Sequence, residues 1–231
     1  MPCEGVLCTL GSNINYQIII NTKYIMNKSQ LTIAINKLAK KRPAFYSEAD
    51  FQFSLAWELK TLLPNANIYL ERYEPTFNYH VDIWVEENGE FFPIELKYKT
   101  KKDNVVINGH PITLKDHSAI PLGSYDYLKD IYRIEDLSQL PGFKKGFAVM
   151  LTNEPIYYKP SKTTSAYDMF KICEGLTKQR NITMNWGLTN KQTPFQATKG
   201  RGPFALKNTY QMQWDDYNNN KNKFKYIISE I

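Results

Sequence analysis

The sequence predicts a mixed α/β domain, a central mixed sheet flanked by helices and extended by a C-terminal elaboration. Three observations predict it. A serine-capped amphipathic segment begins at Ser47, three strand-like runs follow in close succession, and a second helical segment then leads into a short, wholly apolar run. Helix, three strands, helix and strand is therefore the expected order from residue 47 to about 153, with residues 154–231 as the elaboration.

Residues 1–25 read as an N-terminal extension, dispensable to the domain, because the strand-like IIINTKYI does not continue into the pattern beyond it. The domain is expected over 26–231. Leu31, Ile33, Ile35, Leu38 and Ala39 suggest a first short helix. In SEAD, Ser47 can accept from the free amides of a first helical turn. Phe51, Leu55, Leu59 and Leu62 then recur at helical spacing until Pro64 and Asn65 end the run. On that helix Glu48 and Gln52, four residues apart, share a face.

NIYLERYE, YHVDIWVEE and FFPIELKYK are the three strands, the last two joined by Asn88-Gly89, a pair that favours tight hairpins. Residues 100–120 read as polar and irregular. Ser124 is expected to cap the next helix, YDYLKDIYRIEDL, with Leu128, Ile131 and Ile134 inward. GFAVMLTN reads as a fully buried strand. Beyond Asn153 the pattern loosens, with a helix expected around AYDMFKICEGL and strand-like pieces near Tyr210 and from Phe224 to Ile228.

Lys plus Arg exceed Asp plus Glu by 29 to 23, a formal charge of +6 that favours polyanionic partners without selecting one. Cys3, Cys8 and Cys173 are too dispersed for a disulfide framework, and no Cys/His spacing matches a zinc site. No apolar run approaches the roughly 18 residues that span a bilayer. A cytoplasmic protein without a membrane partner is the expectation.

The chemistry concentrates on the second and third strands. Alternation puts Glu95 and Lys97 on one face of IELK while Ile94 and Leu96 point into the core. In VDIWVE it turns Val81, Ile83 and Val85 inward and Asp82 to the opposite face. If the strands pair as a hairpin, Asp82 and Glu95 can meet at one cation, with the Leu96 backbone carbonyl beside them. Hard oxygen ligands of this kind suit Mg²⁺ or Mn²⁺. Lys97 would orient an attacking water or stabilise developing charge, and a phosphodiester is the natural substrate.

Val81-Asp82 followed by Glu95-Leu96-Lys97 resembles the PD-(D/E)XK nuclease superfamily, with Val81 where the name-giving proline would stand. The resemblance implies a restriction endonuclease-like αβββαβ core, which the order of elements from Ser47 onwards matches. It also implies a metal-binding glutamate on the first core helix, a place that falls to Glu48. Gln52 is the second polar residue on that face. Segments such as SEADFQ, YDYLKDIYRIE, WGLTN and RGPFALKNTY, within residues 26–217, resemble a group of restriction-endonuclease-like bacterial proteins. That likeness implies restriction or phage defence, double-stranded DNA as substrate, and action as a homodimer, since two strands are most simply cut by two copies of one site. A catalytically silent nucleic-acid-binding module, or a nuclease acting on RNA or transposon ends, are the alternatives.

Around the site Lys99, Lys101 and Lys102 are candidate contacts to a phosphate backbone, as are Lys199 and Arg201. Asp130 and Arg133 read as a structural ion pair on one helix face. Trp186, Phe204, Tyr210, Trp214 and Tyr217 could stack on flipped or single-stranded bases; core packing is the expected role, with cover of the outer face of the sheet as the alternative.

Overall fold

A computed structural model describes residues 26–107, 109–117, 119–160, 163–187, 200–218 and 224–231. The expected N-terminal extension and Lys199 lie outside the described residues. Helix α1 spans Lys28–Lys41 behind an Asn27 cap, and α2 spans Glu48–Leu62. Ser47 caps α2 as its sequence predicts, its side chain accepting from Asp50 N at 3.1 Å. Leu31, Ala34, Ile35 and Leu38 form the buried stripe of α1, whereas Ile33, one of the apolar residues that suggested the helix, is 42% exposed.

Strands β1 (Asn67–Glu74), β2 (Tyr79–Glu87) and β3 (Glu90–Lys99) fall where the alternation put them. Asn88 at φ 55° and Gly89 at φ 78° make the tight turn between β2 and β3, both in the left-handed region that such turns need. The segment 100–120 is not irregular throughout. It forms a hairpin, β4 (Asp103–Ile107) and β5 (His110–Leu114), which buries Val105, Ile107 and Leu114. A two-residue period with Gly109 at the turn carries the hairpin, and the flanking polar residues conceal it.

Helix α3 spans Ile120–Leu137 and starts earlier than its sequence suggests, with Pro121 in its first turn. Ser124 is therefore no cap: it lies inside the helix, 1% exposed. Strand β6 (Phe147–Thr152) is buried at every residue, as expected. Then come α4 (Pro155–Tyr158), β7 (Thr177–Lys178), β8 (Tyr210–Gln211), β9 (Trp214–Asp216) and β10 (Lys225–Glu230). The helix expected around residues 166–176 reduces to a single 3₁₀ turn, Asp168–Phe170. Phe170 and Ile172 pack in the cluster with the α3 residues Leu128, Ile131 and Ile134, while Met169 and Leu176 stay exposed, so no helical stripe is formed.

The central sheet is mixed and six-stranded, in the order β1-β2-β3-β6-β10-β9. Only the β3–β6 pair is parallel. One face packs on α1 and α2 through Ile83, Val85, Ile94, Leu96, Val149 and Leu151. The other meets α3 through Ala148, Met150 and Ile227, packed with Leu128, Ile131 and Ile134. Phe204, Tyr210 and Trp214 complete that layer, buried in the core as expected of the C-terminal aromatics and covering that face of the sheet, while Trp186 packs at its margin and Tyr217 joins the opposite core. Among the described residues no helix is long and apolar enough to cross a membrane.

Candidate active site

The Asn88-Gly89 turn fixes the register of β2 against β3 as Glu87↔Glu90 through Ile83↔Ile94. Continued by one residue, that register sets Asp82 against Glu95. The ladder ends there, and the Asp82 side chain takes over: its Oδ2 accepts the Leu96 N–H at 2.6 Å. On the other side β3 runs parallel to β6, Glu95 beside Ala148 and Lys97 beside Met150. The two charged residues of IELK thus lie in mid-sheet, under α3.

Helix α3 answers them with charges of its own. Lys97 Nζ lies 2.7 Å from Asp130 Oδ2 and donates to the Leu96 carbonyl at 3.0 Å. Arg133 Nη2 lies 3.2 Å from Glu95 Oε1, and Arg133 Nη1 is 3.6 Å from Asp130 Oδ1. Arg133 also donates to the His80 carbonyl and lies 4.8 Å from the centre of the Tyr79 ring. Glu95 is 1% and Asp130 4% exposed. Ions buried this deeply cost several kcal/mol each in desolvation, on the order of what a close partner returns.

The protonation equilibria reflect that cost. Burial, reinforced by Asp130 and Asp82, holds the Glu95 carboxyl well above the usual carboxylate range. Burial raises Asp82 as well, against the pull of Lys97 and of the Leu96 N–H. Asp130 is pushed up to about 6 by burial, against Lys97 and Arg133. For Lys97 burial works toward neutrality, but Asp130, Asp82 and Glu48 outweigh it and raise the ammonium above its ordinary value.

Helix α2 supplies the rim. Glu48 Oε2 accepts the Tyr98 N–H at 2.7 Å and lies 3.6 Å from Lys99 Nζ. One turn on, Gln52 Nε2 donates to the Asp82 carbonyl and to Glu71 Oε1, each at 2.6 Å. Glu71 stands opposite Asp82 on β1, where the β1–β2 ladder skips a pair and Glu71 adopts a φ of 52°. Left-handed backbone in a non-glycine residue costs about 1–2 kcal/mol. The site therefore sits against a strained point of β1, held by Gln52.

The acidic residues do not form a ready-made metal cage. Among the described residues no group of three or more His, Cys, Asp or Glu side chains is assembled to hold an ion. Lys97 and Arg133 supply the positive charge instead. The donor chemistry nevertheless fits a hard cation: Asp82, Glu95 and the Leu96 carbonyl are all oxygen donors, and the buried Glu95 Oε1 makes no hydrogen bond despite its ion-pair contact with Arg133.

No family model matches this chain, and neither a curated protein nor a solved structure matches it.

Of the residues expected at the site, Asp82, Glu95, Lys97, the Leu96 carbonyl, Glu48 and Gln52 come together. Lys99 lies at its edge, beside Glu48. Lys101 and Lys102 are exposed just beyond β3, where the Asn153 side chain accepts from Lys101 N at 2.8 Å. Arg201 is not a free cation: it grips Asp126 of α3 through Nε at 2.9 Å and Nη2 at 3.2 Å. Asp130 and Arg133 do pair with each other, but they also hold Lys97 and Glu95. Their three-residue spacing signals one helix face; that the face meets the motif follows only from the parallel β3–β6 pairing, which seats α3 over the site. Glu71 carries no sequence signal for its role.

Proposed function

We propose that this chain is a Mg²⁺-dependent endonuclease with a restriction endonuclease-like αβββαβ core, hydrolysing phosphodiester bonds in double-stranded DNA. The observation that carries the reading is the meeting of Asp82 with Glu95 and Lys97 on one face of the β2–β3 pair. The elements α2, β1, β2, β3, α3 and β6 surround them in the order that such a core requires.

Asp82, Glu95 and the Leu96 carbonyl are the residues that would hold Mg²⁺, or Mn²⁺ in its place, with Glu48 at the rim. When bound, such an ion would supply a lowered pKa for a coordinated water and positive charge against the phosphate. Lys97 is the wrong residue to accept a proton, because its carboxylate neighbours strengthen the ammonium. It acts as a fixed positive charge, stabilising the phosphorane or holding the attacking water by hydrogen bond. Glu95 must shed its proton before it can ligate. Gln52 holds the β2 backbone at Asp82 so that the carboxylate faces β3.

The likeness of several segments to restriction-endonuclease-like bacterial proteins supports a role in restriction or phage defence, with dimerisation to cut both strands. A second reading is a nucleic-acid-binding module without catalysis. It is favoured by the pairing of Glu95 with Arg133 and of Lys97 with Asp130, which compensates the site without any metal.

Incubation of supercoiled, linear and single-stranded DNA with Mg²⁺, with EDTA, and with Lys97→Ala protein prepared in parallel separates the two. Metal-dependent cutting that disappears in the variant is the expected result. Nucleic-acid binding with no cleavage of DNA or RNA under any condition would leave the binding module.

A further inference from the structure

We propose that a cavity of about 290 Å³ beyond the end of β3 binds a phosphate of the nucleic-acid strand adjacent to the candidate active site, through Lys99, Lys115 and the His117 imidazole. The inference rests on the nuclease reading for its ligand, but its test needs no catalysis.

The cavity shares Glu48 and Lys99 with the rim of the site and is also lined by Lys115 and His117, which follow β5. That wall is built into the fold. His117 N donates to the Thr100 carbonyl at 2.7 Å, and Thr100 Oγ1 donates to the Lys115 carbonyl at 2.6 Å. Thr100 N donates to His117 Nδ1 at 3.0 Å. Three hydrogen bonds thus pin the segment after the β4–β5 hairpin to Thr100, the first residue beyond β3.

The third bond also sets the chemistry of His117. With Nδ1 accepting from a backbone amide, the ring proton of the neutral imidazole sits on Nε2, a donor. Burial, with Lys99 and Lys115 adding to it, lowers the imidazole below its ordinary pKa, so the ring is neutral at pH 7. The wall therefore offers two ammonium groups and one uncharged N–H donor. Among the lining residues Glu48 is the opposing charge, its carboxylate accepting the Tyr98 N–H and lying beside Lys99; Asp116, outside the lining, is a second anion acting on the imidazole. Tyr46, 61% exposed, stands at the mouth as a surface for a sugar or base. The volume is at the lower end of small-molecule sites, enough for one nucleotide unit.

The two side chains contribute different physics, which makes the assignment testable. Binding of a labelled duplex and of a labelled single strand is followed by fluorescence anisotropy in EDTA over a range of salt. Lys115→Ala is expected to reduce the slope of log Kd against log salt by about one, the loss of a phosphate contact. His117→Ala is expected to weaken binding by about 2- to 10-fold with the slope unchanged, because a neutral donor releases no counterion. Both residues are exposed, and circular dichroism verifies that the variants fold. If wild type binds and both variants match it in Kd and slope, the cavity assignment falls and the nuclease reading stands. If the wild type binds neither DNA nor RNA, whether in EDTA or with Ca²⁺ in place of Mg²⁺, both fall. Inorganic phosphate that binds the wild type tightly in calorimetry, but not Lys115→Ala, would reassign the cavity to a free anion and overturn the nucleic-acid assignment.

Discussion

The Asp130 carboxylate of α3 lies 2.7 Å from the Lys97 ammonium of β3, a buried anion joined to a half-buried cation across the face on which the candidate site sits. Lys97 has a flexible four-carbon stem, so its aim is set by what holds its tip. Asp130 holds it, together with the Leu96 carbonyl.

Replacing Asp130 by Asn keeps the shape and removes the charge. Cleavage is expected to fall about 100-fold in kcat with KM little changed, since a misplacement of about 1 Å carries a penalty of that size. Asp130→Glu, which restores the anion, is expected to recover part of the loss. A fall in KM-dependent binding with kcat intact would count against a positioning role. Steady-state cleavage of a defined duplex reads both parameters.

The pH dependence of cleavage should carry the mark of Glu95. Its carboxyl titrates well above the usual range, and only the ionised form can ligate. Cleavage is therefore expected to climb with rising pH through that displaced titration and then level off. Asp130 is among the groups that raise Glu95, so Asp130→Asn should move the rising limb to lower pH. Single-turnover rates across pH, for both proteins, make the comparison.

Stability depends on how closely α3 approaches the sheet. A Cβ on Gly146 would come within 2.1 Å of Ile134 Cγ2 and 3.3 Å of Pro93 Cγ. Neither atom is the far end of a flexible chain, so α3 must move. Gly146→Ala is expected to cost about 1–3 kcal/mol in denaturant unfolding, the usual range for overpacking. Cleavage should fall with it, because the same helix carries Asp130 and Arg133.

Lys178 offers a test remote from the site. Burial lowers its pKa to about 8, and its Nζ donates to the Met169 carbonyl at 2.8 Å. The unfolded chain holds this proton until about pH 10.4, so the folded state binds fewer protons between about pH 8 and 10. Stability should therefore rise with pH across that window, and below it the buried charge is a standing penalty of up to about 3 kcal/mol. Lys178→Met is expected to raise the melting temperature at pH 7, an advantage that shrinks as pH climbs through the window.

Much of the fold was legible because local signals agreed. Ser47, the helical spacing of Phe51, Leu55 and Leu59, and the Asn88-Gly89 turn each act over a few residues, and the structure keeps all of them. The pairing of Asp82 with β3 followed from that turn alone. What escaped was set by tertiary context. Ser124 has the chemistry of a cap, but Ile120 and Pro121 start the helix earlier and bury it. The β4–β5 hairpin buries only three side chains, too few to stand out among polar neighbours. Asp130 and Arg133 show their mutual spacing in sequence, whereas their hold on Lys97 and Glu95 depends on residues more than thirty positions away in chain order.

The left-handed turn of backbone at Glu71 also bears on how copies of the chain behave in concentrated solution. Among the described residues strand β1 is an edge of the sheet and carries Tyr69, Leu70 and Tyr73 at 45%, 40% and 48% exposure, a combination that invites edge-to-edge addition of another strand. The kink at Glu71 interrupts that edge at its centre and sets an acidic residue there, so a second chain finds no continuous template. A straightened β1, as Glu71→Val would favour, should leave the monomer folded while promoting fibrillar or amorphous self-association, visible as light scattering long before any loss of helical signal.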